Sequence, residues 1–353
     1  MHIKILFNKI VLLIILICTI SCNNKVFLKS PNFILILSDD QGWNGTSYEM
    51  ISGADYSKSD YYETPNIENL AKSGMVFSRA YSPAPTCSPT RYAIQYGQTP
   101  ARLKHIRVSM NVDHIDHKGM TTIPRALKRI DSNYVAGHFG KFGMYSEPIN
   151  FGYDFSDGMT GNIDGIIDGT VQTKWLPQHD EDPKQIFGIT KRSLSFMEDQ
   201  VKQDNPFFLQ VSHFAVHSDL VSRKEIYEKY KEKNRGRYHE NSSIAAMTED
   251  MDLSVGKILE KVTELGIEKL VPIITERTNN KNFNEEKAFL HVKEASEVSD
   301  RLTLPKIEKK SWDVGENWKL DIGYEKGVQL VWCMYCLLYT SPSPRDRQKS
   351  RMP

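Results

Sequence analysis

The sequence predicts an α/β fold in which helices flank a mainly parallel β-sheet. Residues 33–37 form an uninterrupted apolar run, which is typical of a strand buried on both faces. Residues 75–80 and 206–213 are further predicted strands. Residues 64–74 and 243–265 carry apolar side chains at helical spacing, which indicates helices packed on the sheet.

Two adjacent carboxylates, Asp39 and Asp40, follow the first predicted strand. Carboxylates this close repel each other unless a cation or hydrogen-bond donors stabilise them. The carboxyl end of a buried strand is also where α/β folds bind ligands. A hard cation such as Ca²⁺ suits the pair, although it takes roughly 6 to 8 oxygen ligands and must find the rest elsewhere. The alternative is a solvated Asp-Asp turn before Gly42.

The segment 64–74 contains its own helix signals. Thr64 is a candidate N-cap, Pro65 suits the first helical position, and Gly74 suits the position after the last turn. We interpret this helix, and the strand predicted after it, as scaffold.

Cys87 opens the run Cys87-Ser88-Pro89-Thr90-Arg91, and no other cysteine lies between the N-terminal leader and the far C-terminus. In an exported chain an isolated thiol is a candidate reactive residue. The surrounding prolines and hydroxyl residues indicate a turn. If residues 91–97 begin a helix after it, Cys87 lies near a helix N-terminus, where backbone N–H groups favour negative charge.

This run resembles the signature of the sulfatase family, Cys-x-Pro-Ser-Arg followed by glycine, with Thr90, Ile94 and Tyr96 departing from the usual residues. The resemblance implies that Cys87 is oxidised to formylglycine and that Arg91 holds it. It also implies that Asp39, Asp40 and the residue at Cys87 bind Ca²⁺. The implied fold is an alkaline-phosphatase-like three-layer α/β sandwich with a large mixed, mainly parallel sheet.

Two further segments resemble sulfatase elements. The run from Gly140 to Met144 resembles Gly-Lys-Trp-His-Leu-Gly, so Lys141 is implied as a sulfate ligand. Gly143 stands where many members have a histidine, and His138 is the candidate to compensate, with a turn or surface role as the alternative.

The strand at 206–213 resembles the family strand that ends in Ala-Pro-His. His217 takes the position of the histidine that contacts the sulfate or its leaving oxygen. His213, inside the strand pattern, is predicted to be structural.

The helix at 243–265 resembles the family helix that precedes the second metal motif, and Asp252 within it is predicted to be structural. The Asp-Asn-Gly motif itself is missing. Without gaps, Thr278, Asn279 and Asn280 fall on its three positions. We therefore expect any bound Ca²⁺ to be held poorly.

The resemblance stops near Glu268. Our hypothesis is that residues 269–353 are a frameshifted or artefactual tail and that the small C-terminal domain is missing or corrupted. This divides the chain into a lipoprotein signal peptide (1–22), a tether (23–30), a sulfatase catalytic domain (31–268) and the tail. Cys333 and Cys336, in the tail, receive no role.

The N-terminus predicts export. Two lysines precede an apolar run too short for a membrane span, and Thr19-Ile20-Ser21-Cys22 is a loose lipobox. Cys22 is the predicted lipidation site, which places the protein in a bacterial cell envelope, as a periplasmic or outer-membrane lipoprotein with a lipid anchor in the membrane. Ordinary signal cleavage without lipid is the alternative.

Composition sets bounds on partners. The 353 residues include 45 Lys and Arg against 44 Asp and Glu, and 40% are hydrophobic. A chain this long and this close to neutral can bury a core, and its charge indicates no nucleic-acid partner.

The resemblance implies hydrolysis of a sulfate ester, on a sulfated carbohydrate or an aryl sulfate, after maturation by a formylglycine-generating enzyme. Cys87, Arg91, Lys141 and His217 are the candidate catalytic residues, and Lys141 and His217 also bind substrate. With the second metal motif missing, we expect little or no activity from this chain. The alternatives are a phosphodiester or phosphonate ester hydrolase of the same superfamily, and an inactive lipid-anchored glycan-binding homologue.

Overall fold

The computed structural model describes residues 30–77, 80–166 and 176–267, together with the backbone of the strand Val328–Cys333. The predicted signal peptide with Cys22, nearly all of the tether, most of the tail and the three positions from Thr278 to Asn280 lie outside the described residues.

A five-stranded parallel sheet forms the centre of the fold. Its strands in chain order are β1 (Asn32–Leu37), β2 (Val135–Gly140), β3 (Phe155–Ser156), β5 (Phe207–Ser212) and β7 (Val328–Cys333). They lie in the order β3-β2-β5-β1-β7, and every pairing between them is parallel. A separate parallel pair joins β4 (Gln178–His179) to β6 (Val221–Ser222).

The described α-helices are α1 (Pro65–Ser73), α2 (Cys87–Tyr96), α3 (Ile123–Ile130), α4 (Ile186–Lys202), α5 (Lys224–Glu232) and α6 (Ser242–Glu264). Short 3₁₀ turns lie at Asp55–Ser57, Pro148–Phe151, Asn162–Gly165 and Pro183–Gln185. None of the helices in the described ranges is both long enough and apolar enough to cross a membrane.

Alternate residues of the strands pack on opposite faces of the sheet. Ile34 and Ile36 join a cluster with side chains of α4 and α6, whereas Leu35 joins a cluster with Tyr92 and Tyr96 of α2. Because strand side chains alternate between faces, both faces of β1 are covered. The predicted α/β sandwich with a mainly parallel sheet is confirmed, and the predicted loss of a C-terminal domain falls outside the described residues.

Most predicted elements are present, with two exceptions. The helix predicted to begin at residue 91 after a turn begins at Cys87, so Pro89 lies in its first turn. A predicted strand is also absent. Residues 75–77 are not a strand, and Phe77 is 56% exposed. The prediction at 75–80 is therefore wrong over the residues described there. No strand in the described ranges pairs with this stretch, so its apolar pattern is not used by the sheet.

The side chain that caps α1 is a further departure from the prediction. Thr64 makes no capping bond, and its hydroxyl instead accepts from the backbone N–H of Ser47 at 2.8 Å. The cap comes from Asp252 of α6, whose carboxylate accepts from the N–H groups of Asn66 (3.1 Å) and Ile67 (2.8 Å). The sequence predicts a structural role for Asp252, and capping the N-terminus of α1 is that role.

Candidate active site

The carboxyl ends of three neighbouring strands meet at one edge of the sheet. Asp39 follows β1, Lys141 follows β2 and His213 follows β5. Backbone bonds hold the three ends together: Lys141 N–H donates to the Ser212 carbonyl at 2.7 Å, and His213 N–H donates to the Leu37 carbonyl at 2.8 Å. The edge is therefore a rigid platform for the side chains that follow each strand.

Gly140 allows β2 and β5 to approach this closely. Its φ is +93°, and a Cβ added there would lie 2.0 Å from the Ser212 carbonyl oxygen. Only glycine accommodates that conformation and that contact. This close approach also fixes the backbone position of the next residue, Lys141.

Asp39 is fully buried and lies between two cations. Its Oδ1 is 3.3 Å from Nη2 of Arg91, and its Oδ2 accepts from Nζ of Lys141. Arg91 also donates through Nη1 to the backbone carbonyl of Lys141. Three of the predicted site residues, from β1, α2 and β2, thus form one buried ion network.

Burial alone would raise the pKa of Asp39. The positive charges of Lys141 and Arg91, together with the hydrogen bond from Lys141, outweigh that effect and hold the pKa below its usual range. The carboxylate is therefore ionised, and the two basic side chains are fixed by it.

Asp40 and His217 form the outer part of the site. Asp40 has φ +57°, and its Oδ2 lies 3.4 Å from Nε2 of His217. The His217 Nδ1 lies 2.5 Å from the Ser218 carbonyl, which orients the ring with Nε2 toward Asp40. Burial, and then the charge of Asp39, raise the pKa of Asp40. His217 thus lies beside the acidic pair, and its predicted contact with the sulfate or its leaving oxygen stays a prediction.

Cys87 is the first residue of α2, and it is partly exposed. It precedes Arg91 by four residues, so the two side chains lie on the same face of the helix. Arg91 contacts Asp39, and the thiol is therefore one helical turn from the ion network, at the end of the helix that favours negative charge.

Gly143, in the position of the family histidine, has no room for a side chain. Its φ is +64°, and a Cβ there would lie 2.8 Å from Cδ and 3.1 Å from Nε of Arg91. Arg91 occupies the space that a residue at this position needs. A histidine at 143 is incompatible with this placement of the guanidinium.

His138 is fully buried and its Nε2 lies 3.1 Å from the Ser212 hydroxyl, between the rings of Phe142 and Tyr153. Burial, with the charge of Arg91, lowers its pKa to about 3. A solvent-excluded ring that stays neutral near pH 7 is a poor proton carrier, so this environment does not favour the compensating role considered for it.

His213 is also buried, with Nε2 3.2 Å from the Ser254 hydroxyl, and burial lowers its pKa to about 4. This environment supports its structural interpretation.

Two buried features were not predicted from the sequence: a hydrogen-bonded pair next to Cys87, and a lysine. The Ser88 hydroxyl lies 2.7 Å from Nε2 of His105, and both residues are buried. Lys184 is only 4% exposed, in the 3₁₀ turn before α4. Neither has a local sequence signal, because His105 and Lys184 come from irregular segments whose course depends on tertiary packing.

The donor set does not complete the Ca²⁺ site that the resemblance implies. Both oxygens of Asp39 already face cationic donors, and Asp40 is the remaining carboxylate of the pair. Across residues 30–77, 80–166 and 176–267, no three histidine, cysteine, aspartate or glutamate side chains are placed to hold a metal ion together. As placed, the described residues do not fit the ion, and the predicted ligands Asp39, Asp40 and Cys87 remain a prediction.

Comparison with known proteins agrees with this geometry. Residues 31–274, more than two thirds of the chain, match the family model described as Sulfatase. The chain belongs to the sulfatase family. A second model, an RNA methyltransferase domain, matches residues 249–319. That match overlaps α6, which packs in the core of the sulfatase fold, and its remainder lies almost wholly beyond the described residues.

Curated sulfatases are similar over most of the chain. It is 26% identical over 327 residues to a sulfatase of Formosa agariphila, covering 73% of this chain and 58% of that protein. It is also 26% identical over 274 residues to N-acetylgalactosamine-6-sulfatase of Mus musculus, covering 68% of this chain and 48% of that protein. The chain thus spans about half the length of these relatives.

Solved structures share the fold. A Bacteroides thetaiotaomicron protein from a study of glycosaminoglycan metabolism superposes with a TM-score of 0.51 at 17% identity, covering 92% of this chain and 78% of that one. The crystal structure of Ps i-CgsB gives a TM-score of 0.51 at 22% identity, covering 69% and 58%. These likenesses confirm the alkaline-phosphatase-like sandwich.

Proposed function

We propose that this sulfatase-family chain carries the catalytic site of a sulfuric ester hydrolase that acts on a sulfated glycan. The observation that carries the proposal is the network of Asp39, Arg91 and Lys141, with Cys87 one helical turn away. Preorganised cations beside a reactive residue suit a reaction in which negative charge must be bound and stabilised.

Each described residue has a role in this proposal. Cys87, matured to formylglycine, supplies the attacking oxygen through its hydrated aldehyde. Arg91 holds the first turn of α2 against Asp39 and keeps positive charge beside residue 87. Lys141 offers its ammonium to a sulfate oxygen, and His217, which is partly exposed, contacts the sulfate or protonates the leaving oxygen. No step is assigned to Ca²⁺.

The substrate class comes from the relatives. Several mammalian relatives are named N-acetylgalactosamine-6-sulfatases, which favours a sulfated amino sugar over a simple aryl sulfate. We also propose that the chain is exported and lipid-anchored through Cys22, because sulfated polysaccharides are met outside the cell, and that a maturation enzyme acts on Cys87.

Two observations favour a second candidate, a glycan-binding homologue without turnover. Gly143 replaces the family histidine in a position where Arg91 leaves no room, and the described ligands do not complete a metal site. Such a protein binds the sulfated sugar through the same cations and leaves Cys87 as a thiol.

The test is to produce the full chain with a formylglycine-generating enzyme and to analyse the peptide containing Cys87 by mass spectrometry. Hydrolysis of a sulfated N-acetylgalactosamine is then compared with that of an aryl sulfate and an aryl phosphate diester. We expect the sulfated sugar to be cleaved best of the three, at the low rate expected of a chain that lacks the second metal motif, and Cys87→Ala to abolish that activity. Matured protein that cleaves no sulfate ester contradicts the enzyme proposal, and preference for the phosphate diester contradicts the substrate class.

A further inference from the structure

Lys184 is a buried cation in a constrained turn. It lies in the 3₁₀ turn Pro183–Gln185 directly before α4 and is 4% exposed. Its φ is +56°, and that of Gln185 is +54°. Two successive non-glycine residues in the left-handed region are uncommon and cost free energy, and such conformations concentrate at functional sites.

The turn is held by side chains around it. The carboxylate of Asp182 caps α4 by accepting from the N–H groups of Phe187 (2.7 Å) and Gly188 (2.9 Å). Gln185 N–H donates to the Asp182 carbonyl at 3.0 Å, and its side chain donates to the Asp164 carbonyl. Among the described residues, the hydrogen bonds that hold this turn are made by Asp182 and Gln185, and they keep Lys184 in its buried position.

The turn that carries Lys184 packs beside the candidate active site. Ile186, two residues further on, lies in one buried cluster with Ala215 and Val216. Both of those residues bond to the backbone of Asp39: Asp39 N–H donates to the Ala215 carbonyl at 2.9 Å, and Val216 N–H donates to the Asp39 carbonyl at 2.7 Å.

The charges of Asp219, Lys141 and Asp39 act on the Lys184 ammonium group. Burial is the largest effect and lowers its pKa to about 8, with Asp219 opposing it. Within the described residues, no carboxylate forms an ion pair with Lys184. Asp39 is already matched by Lys141 and Arg91.

A buried ammonium without a paired carboxylate is costly, and an anion bound beside it relieves that cost. We propose that Lys184 is a further substrate-binding residue of this site, whose ammonium binds a sulfate oxygen together with Lys141. This inference deepens the proposed function and rests on it, because it assumes that a sulfate group enters between these cations.

The experiment measures binding of inorganic sulfate to the full chain by calorimetry, with ionic strength held constant by chloride. Lys184→Met removes the charge at similar volume, and Lys184→Arg keeps it. Lys191→Met is the matched control, because Lys191 is an exposed lysine of α4. We expect Lys184→Met to weaken sulfate binding by about 10-fold or more, Lys184→Arg to retain most of it, and the control to match wild type.

Unchanged sulfate affinity in a folded Lys184→Met protein overturns the inference. Should that variant fail to fold, wild-type protein carrying ¹³Cε-lysine provides a second measurement. The Lys184 signal, assigned by its absence from Lys184→Arg, is expected to shift on sulfate addition, and a signal that stays in place overturns the inference.

The two proposals fail separately. Sulfate binding that depends on Lys184, without ester hydrolysis by matured protein, contradicts the proposed enzyme and leaves the binding role of Lys184 standing. Hydrolysis with sulfate binding that is indifferent to Lys184 contradicts the lysine's role alone.

Discussion

At Asp39, each carboxylate oxygen faces its own buried cation, so the ion network depends on both partners. The side chains of Asp39, Arg91 and Lys141 are at most 1% exposed. In this dry environment the loss of one partner leaves a charge that water cannot solvate. The same arrangement explains why Asp39, as placed, does not offer a free carboxylate oxygen to a metal ion.

Lys141→Met is therefore expected to lower the free energy of unfolding by about 3–5 kcal/mol at pH 7, measured by urea denaturation. Added Ca²⁺ is expected to restore part of that loss in the variant, because Asp39 then lacks its nearest cation, and to change wild type little. Lys191→Met is the surface control. A Lys141→Met protein as stable as wild type contradicts the buried ion network.

The substitution Gly143→His tests whether the fold can accommodate the family histidine at this position. We expect Gly143→His to lower the free energy of unfolding by about 1–3 kcal/mol more than Gly53→His, because only at 143 does the new Cβ meet Arg91. Gly53 has a similar φ of +78° with no atom within 4 Å, so it controls for backbone strain alone. Thermal or urea unfolding gives the comparison, and equal costs at the two sites contradict the predicted clash.

At the scale of elements, local patterns predict well where a segment buries its own apolar residues. The strand predicted at 206–213 is β5 (Phe207–Ser212), and the helix predicted at 243–265 is α6 (Ser242–Glu264). The apolar pattern at 75–80 wrongly predicted a strand, because the apolar residues described there do not pack in the sheet. The cap of α1 could not be predicted locally, since Asp252 lies 186 residues beyond Asn66 in the chain.

Removing that cap is expected to loosen α1 rather than the whole sheet. Asp252→Ala should lower the free energy of unfolding by about 1–3 kcal/mol, because the N–H groups of Asn66 and Ile67 lose their acceptor in a buried place. Hydrogen exchange should accelerate first at the N-terminus of α1. Asp199→Ala, at an exposed position of α4, is the control. Unchanged exchange in α1 contradicts the capping role.

At the scale of the whole molecule, the site is predictable where a side chain directly follows a strand or opens a helix. Asp39, Lys141 and the helix carrying Cys87 and Arg91 meet because parallel strands end at one edge of the sheet. Lys184 and His105 arrive from irregular segments, where no periodicity fixes the chain's course. The clash at Gly143 likewise depends on where Arg91 lies, which only the assembled fold determines.

Lowering the pH should destabilise this fold already at pH values well above those at which carboxylates become protonated. His138 and His213 are fully buried, and burial, aided at His138 by the charge of Arg91, lowers their pKa values to about 3 and about 4. Unfolded histidine titrates near 6.5, so the unfolded chain binds protons that the folded chain refuses as the pH falls below that value. Stability is then lost from about pH 6.5 down to the folded pKa values.

By pH 5 each of these histidines is expected to cost about 2 kcal/mol relative to pH 7.5, and burial lowers the pKa of His105, His117 and His239 in the same direction. Urea unfolding across this range measures the slope. His138→Gln and His213→Gln should each remove about 2 kcal/mol of the difference between the two pH values, and the double variant about 4, because glutamine carries no proton in either state. A slope that neither variant reduces contradicts the neutral, buried state of both rings and locates the acid sensitivity elsewhere in the chain.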